Sequence, residues 1–176
     1  MPFVIFDRDG TLIEHVHHLV DPSLVKLKPG LVTALSKLHQ SGFRFGIITN
    51  QSVIARGQAT SFEVNQINRV ITNFLEPWGI FFDFIYICPH LPSEGCLCRK
   101  PAIELGLRAI SEHQLIPNST FMVGDRESDM EFAKELGFRA VQLRSDIKNS
   151  PSSDYCTDTL DDAANWILST VYGEDK

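Results

Sequence analysis

Short runs of consecutive apolar residues alternate along the chain with longer segments in which apolar residues recur at every third or fourth position. The runs have strand length and predict buried parallel strands; they span 3–6, 43–48, 84–87, 121–123 and 140–143. The periodic segments predict amphipathic helices; their apolar positions are Leu31, Ala34, Leu35 and Leu38; Val64, Ile67, Ile71, Phe74 and Leu75; Ile103, Leu107 and Ile110; Phe132, Ala133 and Leu136; and Leu160, Ala163, Ala164, Ile167 and Leu168. Strands that alternate with helices favour an α/β fold, a parallel sheet with helices on both faces.

Turn and capping residues support these boundaries. Gly42 and Gly137 each follow a predicted helix, where glycine is favoured, and Thr60 with Glu63 has the spacing of a capping box. The polar residues of 145–158 predict a long loop before the last helix. No repeat, linker or large insertion interrupts the pattern, so we expect one domain over residues 1–176.

Composition narrows the possible functions. With 43% apolar residues the chain has an ordinary globular composition, and no apolar run approaches the roughly 18 residues of a membrane span. A net charge of −6 argues against a nucleic-acid partner. The first residues lack the basic and apolar regions of a signal peptide, so we expect a cytoplasmic location. The 4 cysteines then suggest metal or thiol chemistry rather than disulfides.

Two carboxylates follow the first predicted strand directly. Asp7 and Asp9 are separated by one residue, and Gly10 allows the backbone to turn sharply after them. In an open α/β sheet the functional crevice lies at the carboxyl ends of the strands. Two acids this close repel each other unless a cation or a proton offsets the charge, and Mg²⁺ is the simplest cation for oxygen ligands. A solvated turn is the alternative.

Small polar side chains follow the second predicted strand. Thr49, Asn50, Gln51 and Ser52 offer a hydroxyl, amides and exposed backbone N–H groups, which suit the oxygens of a phosphate group. An ordinary capped turn before a helix is the alternative.

The third predicted strand leads into a cluster of metal-binding residue types. Cys88, His90, Cys96 and Cys98 form two pairs across a short loop, and their ligand types suit tetrahedral Zn²⁺. Four protein ligands leave no position for a reactive water, so a structural zinc is favoured. The alternative is a set of reduced thiols with an unrelated histidine. Cys156 lies far along the chain in a polar stretch and is interpreted as a plain thiol.

Charged residues follow the cysteine cluster and the fourth predicted strand. Arg99 and Lys100 follow the last cysteine of the cluster, and a metal-tied loop would hold these two cations where they can bind phosphate. Solvated surface charges are the alternative for this pair. Asp125 and Asp129 follow the fourth predicted strand, at a spacing that lets one acid reach a metal while the other braces it.

Three histidines, His15, His17 and His18, crowd the irregular segment 14–30. A metal cluster is conceivable there, but no acid or cysteine stands at a convincing spacing. A loop over the mouth of the site, with some of these side chains meeting substrate, is the favoured interpretation.

Taken together, the motifs resemble those of the haloacid dehalogenase-like superfamily of phosphohydrolases. The resemblance rests on D-R-D-G-T-L, on the strand that ends at Thr49, on a lysine before proline and on G-D-R-x-x-D. The pattern C-x-H…C-x-C-R-K-P resembles a zinc-loop subfamily that contains heptose bisphosphate phosphatases and histidinol-phosphate phosphatases. This resemblance implies a doubly wound sheet of Rossmann type with a zinc-stabilised loop and no separate cap domain.

The resemblance also implies a mechanism. Asp7 would be the nucleophile that forms an aspartyl-phosphate, and Asp9 the general acid and base. Mg²⁺ would be held by the Asp7 carboxylate, the Asp9 backbone carbonyl and Asp125. The remaining implied roles belong to Thr49 and Asn50, which would bind the transferring phosphoryl; to Lys100, which would stabilise its charge; and to Asp129, which would orient Lys100 or a metal-bound water.

The expected substrate is a small phosphorylated metabolite bound by a monomer. T-N-Q-S, I-A-R-G and the run D-P-x-x-V-K-L-K-P-G resemble the heptose bisphosphate enzymes, whereas the short cysteine loop and G-D-R resemble the histidinol-phosphate enzymes. We favour the heptose substrate and retain the histidinol substrate, a phosphotransferase and an inactive binding module as alternatives. The residues expected to contact substrate are Arg8, His15, His17, His18, Asn50, Gln51, Ser52, Arg99 and Arg126.

Overall fold

The predicted strands assemble into one parallel sheet. In the computed structural model, which describes residues 1–144 and 151–173, six strands lie in the order β3-β2-β1-β4-β5-β6. All neighbouring strands run parallel. The strands are β1 (Phe3–Phe6), β2 (Arg44–Asn50), β3 (Phe84–Cys88), β4 (Thr120–Gly124), β5 (Arg139–Leu143) and β6 (Tyr155–Thr157).

The helices cover both faces of the sheet, as the sequence predicts. They are α1 (Leu31–Gln40), α2 (Ser61–Leu75), α3 (Glu104–His113), α4 (Glu127–Glu135) and α5 (Leu160–Tyr172). Val4 and Phe6 of β1 pack in the core beneath α1, α2 and α5. Phe3 and Ile5 alternate to the other face and pack in the core beneath α3 and α4. The doubly wound α/β fold is therefore confirmed, and no helix among the described residues is long and apolar enough to cross a membrane.

The structure corrects the prediction of a long loop over residues 145–158. Residues Tyr155–Thr157 form the edge strand β6, which pairs with β5 from Val141 to Leu143. The strand was missed because it is short and half-buried, and so lacks a continuous apolar run. Its Tyr155 ring stacks on Trp166 of α5, with centroids 5.1 Å apart. Residues 145–150 of the predicted loop lie outside the described part of the chain.

Two smaller differences concern helices. α4 begins at Glu127, well before the apolar positions that predicted it. The apolar pattern does not extend to the first turn because that turn is acidic. The Asp129 carboxylate accepts a hydrogen bond of 3.1 Å from the Arg126 backbone N–H and so caps this turn. Phe74 and Leu107, which belong to the predicted apolar stripes of α2 and α3, are instead 47% and 52% exposed.

The register of the strands brings the polar residues together. Phe6, the last residue of β1, pairs with Ile47 of β2 and Val123 of β4. The Asp7 backbone N–H continues the ladder by donating to the Val123 carbonyl at 2.9 Å. The residues that follow β1, β2 and β4 therefore meet at one edge of the sheet.

Candidate active site

Three carboxylates converge where β1 and β4 end. Asp7, Asp125 and Asp129 each offer an oxygen atom, and these oxygens lie within 4.8 Å of one another. Two glycines make room for them. A Cβ atom at Gly10 would lie 2.4 Å from Asp125 Oδ2, and one at Gly124 would lie 2.4 Å from Asp129 Oδ2. The close approach of the acids thus depends on the absence of side chains at both positions.

A buried lysine neutralises two of these acids. Lys100 Nζ lies 2.8 Å from Asp7 Oδ1 and 2.8 Å from Asp129 Oδ1, and it also donates to the Ile48 carbonyl at 2.6 Å. Burial lowers the pKa of Lys100, but the charges of Asp129 and Asp7 outweigh this effect and raise the pKa. The ammonium group is therefore charged and aimed at Asp7.

Asp125 lacks a comparable partner. Its Oδ1 atom is buried and accepts no hydrogen bond from the described residues. Burial, together with the charges of Asp7 and Asp129, raises the pKa of Asp125 to about 7. A hard divalent cation at this point would offset the repulsion and satisfy the orphaned oxygen, so the residues present fit Mg²⁺.

The Asp9 carboxylate is held from two sides. Arg8 Nε donates to Asp9 Oδ2 at 2.9 Å, and Arg8 Nη2 donates to Oδ1 at 3.2 Å. Gln51 Nε2 donates to Asp9 Oδ2 at 2.7 Å and to Thr49 Oγ1 at 2.8 Å. Gln51 therefore links the ends of β1 and β2.

The Arg8 guanidinium differs from the sequence expectation. Its side chain is fully buried and lies behind Asp9, where its remaining bond is donated to Asn68 of α2. It does not line the cavity that Asp7 and Asp9 face. The Arg8 side chain thus points to Asp9 and away from the cavity, because alternate residues of an extended segment point to opposite sides.

Asn50 is also used within the protein. Its Nδ2 donates to the Lys100 carbonyl at 3.1 Å, and its Oδ1 accepts from the Lys100 backbone N–H at 3.1 Å. This reciprocal pair joins the end of β2 to the cysteine loop and fixes the backbone from which Lys100 extends. These bonds use one N–H and one lone pair of the Asn50 amide, and the residue also lines the cavity.

A cavity of about 420 Å³ opens above Asp7 and Asp9. It brings together most of the residues that the sequence singled out. These are Asp7, Asp9, His15, His17, His18, Thr49, Asn50, Gln51, Ser52, Arg99, Lys100, Arg126 and Asp129. Asp125 instead lines a neighbouring cavity of about 850 Å³, which shares His15 and Arg126 with the first.

The sequence reasoning missed Arg56, which lines the same cavity. It belongs to the I-A-R-G segment, which supports the family resemblance but indicates no role for the arginine. No spacing rule connects it to the strand ends, because it lies in the turns that precede α2.

The histidine loop contributes His15, His17 and His18 to the lining of the cavity. The rings of His17 and His18 stack with centroids 3.9 Å apart, and His18 has a left-handed backbone with φ of 51°. Partial desolvation, and then the nearby charges of His17 and Arg56, lower the pKa of His18.

The cysteine cluster has the dimensions of a metal site. Cys98 Sγ lies 3.2 Å from Cys88 Sγ and 3.6 Å from Cys96 Sγ, and His90 Nδ1 lies 3.1 Å from Cys98 Sγ. Sulfur atoms bound to a tetrahedral zinc at about 2.3 Å lie about 3.8 Å apart. Burial and the neighbouring thiols raise the pKa of Cys98 to about 12, a cost that a bound cation would remove. The four residues therefore fit zinc.

The loop also restrains Arg99. Its Nη1 donates to the His90 carbonyl at 3.2 Å, and the side chain still lines the cavity. Because His90 belongs to the cysteine cluster, the position of Arg99 depends on the conformation of that cluster.

Comparisons with known proteins agree with this geometry. The sequence profile of haloacid dehalogenase-like hydrolases matches residues 12–143. A probable D-glycero-D-manno-heptose-1,7-bisphosphate 7-phosphatase of Thermoplasma volcanium is 35% identical over 145 residues, which cover 81% of this chain and 99% of that protein. The histidine biosynthesis bifunctional protein HisB of Legionella pneumophila is 35% identical over 142 residues. These cover 80% of this chain and only 40% of the length of HisB.

Among solved structures, a D,D-heptose 1,7-bisphosphate phosphatase from B. bronchiseptica in complex with magnesium and phosphate superposes with a TM-score of 0.88. It is 26% identical, and the alignment covers 97% of this chain and 99% of that chain. The sequence match, the shared fold and the convergence of acids at the strand ends all lead to one conclusion. The chain belongs to the haloacid dehalogenase-like hydrolase family.

Proposed function

We propose that the chain is a magnesium-dependent phosphatase that hydrolyses a phosphate monoester through an aspartyl-phosphate at Asp7. The observation that supports this most strongly is the Asp7 carboxylate, which faces the cavity with the Lys100 ammonium 2.8 Å away. A carboxylate held beside a fixed cation can approach a phosphate dianion, from which it would otherwise be repelled.

In the first step, an oxygen of Asp7 attacks phosphorus and the bond from phosphorus to the ester oxygen breaks. Asp9 in its acid form donates a proton to the departing alkoxide, so that a neutral alcohol leaves. Asp7 then carries the phosphoryl group as a mixed anhydride.

In the second step, Asp9 as carboxylate accepts a proton from a water molecule that attacks phosphorus. The bond between phosphorus and the Asp7 oxygen breaks, which releases inorganic phosphate and restores the Asp7 carboxylate and the acid form of Asp9. The same proton-carrying group serves both steps, so its orientation affects the whole cycle.

Two further groups contact the transferring phosphoryl in this proposal. Lys100 stabilises its negative charge, and the Thr49 hydroxyl binds one of its oxygens. Asp129 keeps Lys100 in place through their 2.8 Å ion pair. The metal would be held by Asp7, the Asp9 carbonyl and Asp125, and it would supply charge neutralisation at the phosphate oxygens.

The charge of the cavity favours a substrate with a second anionic group. Arg56, Arg99 and Arg126 line the walls together with the histidine loop. The carboxylates that line it among the described residues are Asp7, Asp9 and Asp129, and each of them is already paired with Lys100 or Arg8. We therefore propose D-glycero-D-manno-heptose 1,7-bisphosphate as the substrate, in agreement with the name of the Thermoplasma relative.

Histidinol phosphate is the second candidate, and the similarity to HisB supports it. Its ammonium group would need an anionic partner in the cavity. The lining carboxylates are engaged with cations of the protein, so this substrate would meet uncompensated positive charge. The electrostatics of the walls thus rank it below the bisphosphate.

Release of inorganic phosphate from the two substrates, measured side by side with magnesium present, tests the proposal. We expect the heptose bisphosphate to have the higher kcat/KM. A higher value for histidinol phosphate would overturn the choice of substrate, and no release from either substrate or from p-nitrophenyl phosphate would overturn the phosphatase itself.

A further inference from the structure

Arg8 is a fully buried charged side chain that does not contact the cavity. Its guanidinium uses Nε and Nη2 for the two oxygens of Asp9, at 2.9 and 3.2 Å, and Nη1 for Asn68 Oδ1 at 3.1 Å. A buried guanidinium is costly unless its donors are satisfied. These contacts therefore determine how Arg8 is oriented.

Asn68 is unusual on its helix. The other buried residues of α2 are apolar, whereas Asn68 is a polar residue that is only 3% exposed. Its Nδ2 donates to Asn65 Oδ1 at 3.3 Å, which directs Oδ1 toward Arg8. A buried amide at this position is disfavoured unless it serves a partner, and that partner is Arg8.

We propose that Arg8 and Asn68 are positioning residues for Asp9. Asn68 fixes the rotation of the guanidinium, and the planar guanidinium holds both oxygens of Asp9 through two parallel bonds. This inference rests on the proposed function, because it assumes that Asp9 transfers the proton. It extends that function by tying the acid–base group to the middle of α2.

The proposal predicts that loss of the positioning contacts affects substrates differently, according to their leaving groups. An alkoxide needs the proton of Asp9 as it departs, whereas p-nitrophenolate is stable without one. Loss of the Asn68 contact leaves Asp9 attached to Gln51 and to a less restrained Arg8. The first chemical step should then slow for an alkyl phosphate and remain fast for p-nitrophenyl phosphate.

The test uses single turnovers with enzyme in excess and follows release of the alcohol or phenol, which reports the first step alone. Wild type is compared with Asn68→Ala, with Arg8→Lys, which keeps the charge but not the planar fork, and with the control Asn73→Ala. Asn73 is an exposed residue of the same helix. Heptose bisphosphate serves as the alkyl phosphate, and the dependence of the rate on pH is recorded for each variant.

We expect Asn68→Ala and Arg8→Lys to slow the alkyl substrate by about tenfold or more, a part of the 10²–10⁴-fold that general acid catalysis supplies. The p-nitrophenyl substrate should change by less than about twofold, the pH profile of the alkyl substrate should shift, and Asn73→Ala should match wild type. Equal losses on both substrates, or no loss on either, would overturn the positioning role. If Asn68→Ala does not fold, Arg8→Lys decides by the same criteria.

The result for the wild type distinguishes failure of the proposed function from failure of the positioning role. A wild-type protein that hydrolyses neither substrate overturns the proposed function, and with it this inference. An active wild type whose variants do not discriminate between leaving groups overturns the inference alone.

Discussion

The Lys100 ammonium lies 2.8 Å from Asp129 and 2.8 Å from Asp7, so one buried cation joins the two carboxylates. All three side chains are almost fully buried. Such a pair is costly to form but more costly to break, because removal of one partner leaves a buried charge. In the proposed mechanism Lys100 therefore has both a structural and a catalytic role.

Replacement of Lys100 separates these roles. Lys100→Met should abolish phosphate release and lower the free energy of unfolding by about 3–5 kcal/mol, because the charges of Asp7 and Asp129 lose their partner. The double variant Lys100→Met/Asp129→Asn should recover part of the stability and none of the activity. Urea unfolding measures the stability of each variant, and a phosphate-release assay measures its activity. A double variant that is no more stable than Lys100→Met would contradict the ion-pair account.

Magnesium should stabilise the protein in a pH-dependent way. Without metal, the pKa of Asp125 is about 7, above its usual value of about 3.9 in an unfolded chain. Its contribution to stability is full below the unfolded pKa and is lost as the pH rises through about 7. The increase in melting temperature on adding Mg²⁺ should therefore be larger at about pH 8 than at about pH 5.

Asp125→Asn is the control for this experiment. The variant lacks the titrating group, so the pH-dependent part of the magnesium effect should disappear. The same pH dependence in the variant and the wild type would show that another group controls the metal site.

Zinc should be bound tightly and should support Lys100 through the loop. We expect about one zinc per chain, held by Cys88, His90, Cys96 and Cys98, whose ligand atoms lie within 4.8 Å of one another. A strong chelator should lower the melting temperature and activity, and Mg²⁺ alone should not restore them. Protein that elemental analysis shows to be free of zinc, and that is fully active in the assay, would refute the site.

Arg56 and Arg99 should select the substrate rather than take part in the chemistry. Removing a charge-assisted contact with a second phosphate costs about 1.5–3 kcal/mol, or about tenfold to over a hundredfold in affinity. Arg56→Ala and Arg99→Ala should raise KM for the heptose bisphosphate by this factor and leave p-nitrophenyl phosphate nearly unaffected. Arg69→Ala, at an exposed position on α2, is the matched control.

Equal losses on the two substrates would show that the arginine serves the common phosphoryl site. Unchanged KM values in both variants would show that the second phosphate, if present, is bound elsewhere.

The order of elements and the strand ends of the site could be predicted because each signal is local. The run 3–6 followed by Asp7 specifies a buried strand and an acid at its end without reference to the rest of the chain. The spacing of the cysteine cluster is a local signal of the same kind. The structure places these residues as expected.

The features that the sequence does not predict depend on contacts between residues far apart along the chain. β6 is stabilised by pairing with β5 and by the stacking of Tyr155 on Trp166, and neither partner can be identified from a polar stretch. Arg8 is predicted to contact substrate, yet its guanidinium bonds to Asp9 and to Asn68, which is 60 residues away along the chain. Side-chain direction and distant partners are therefore the information that the sequence alone lacks.

The central claim is the covalent intermediate at Asp7, and it can be observed directly. Enzyme mixed with heptose bisphosphate and quenched in acid within milliseconds should carry one phosphoryl group, found by mass spectrometry in the peptide that contains Asp7. Asp7→Asn should fold normally, form no such adduct and lose phosphate release by orders of magnitude. A wild-type enzyme that turns over without a phosphorylated Asp7, or an Asp7→Asn enzyme that keeps more than about a tenth of the activity, would contradict the mechanism.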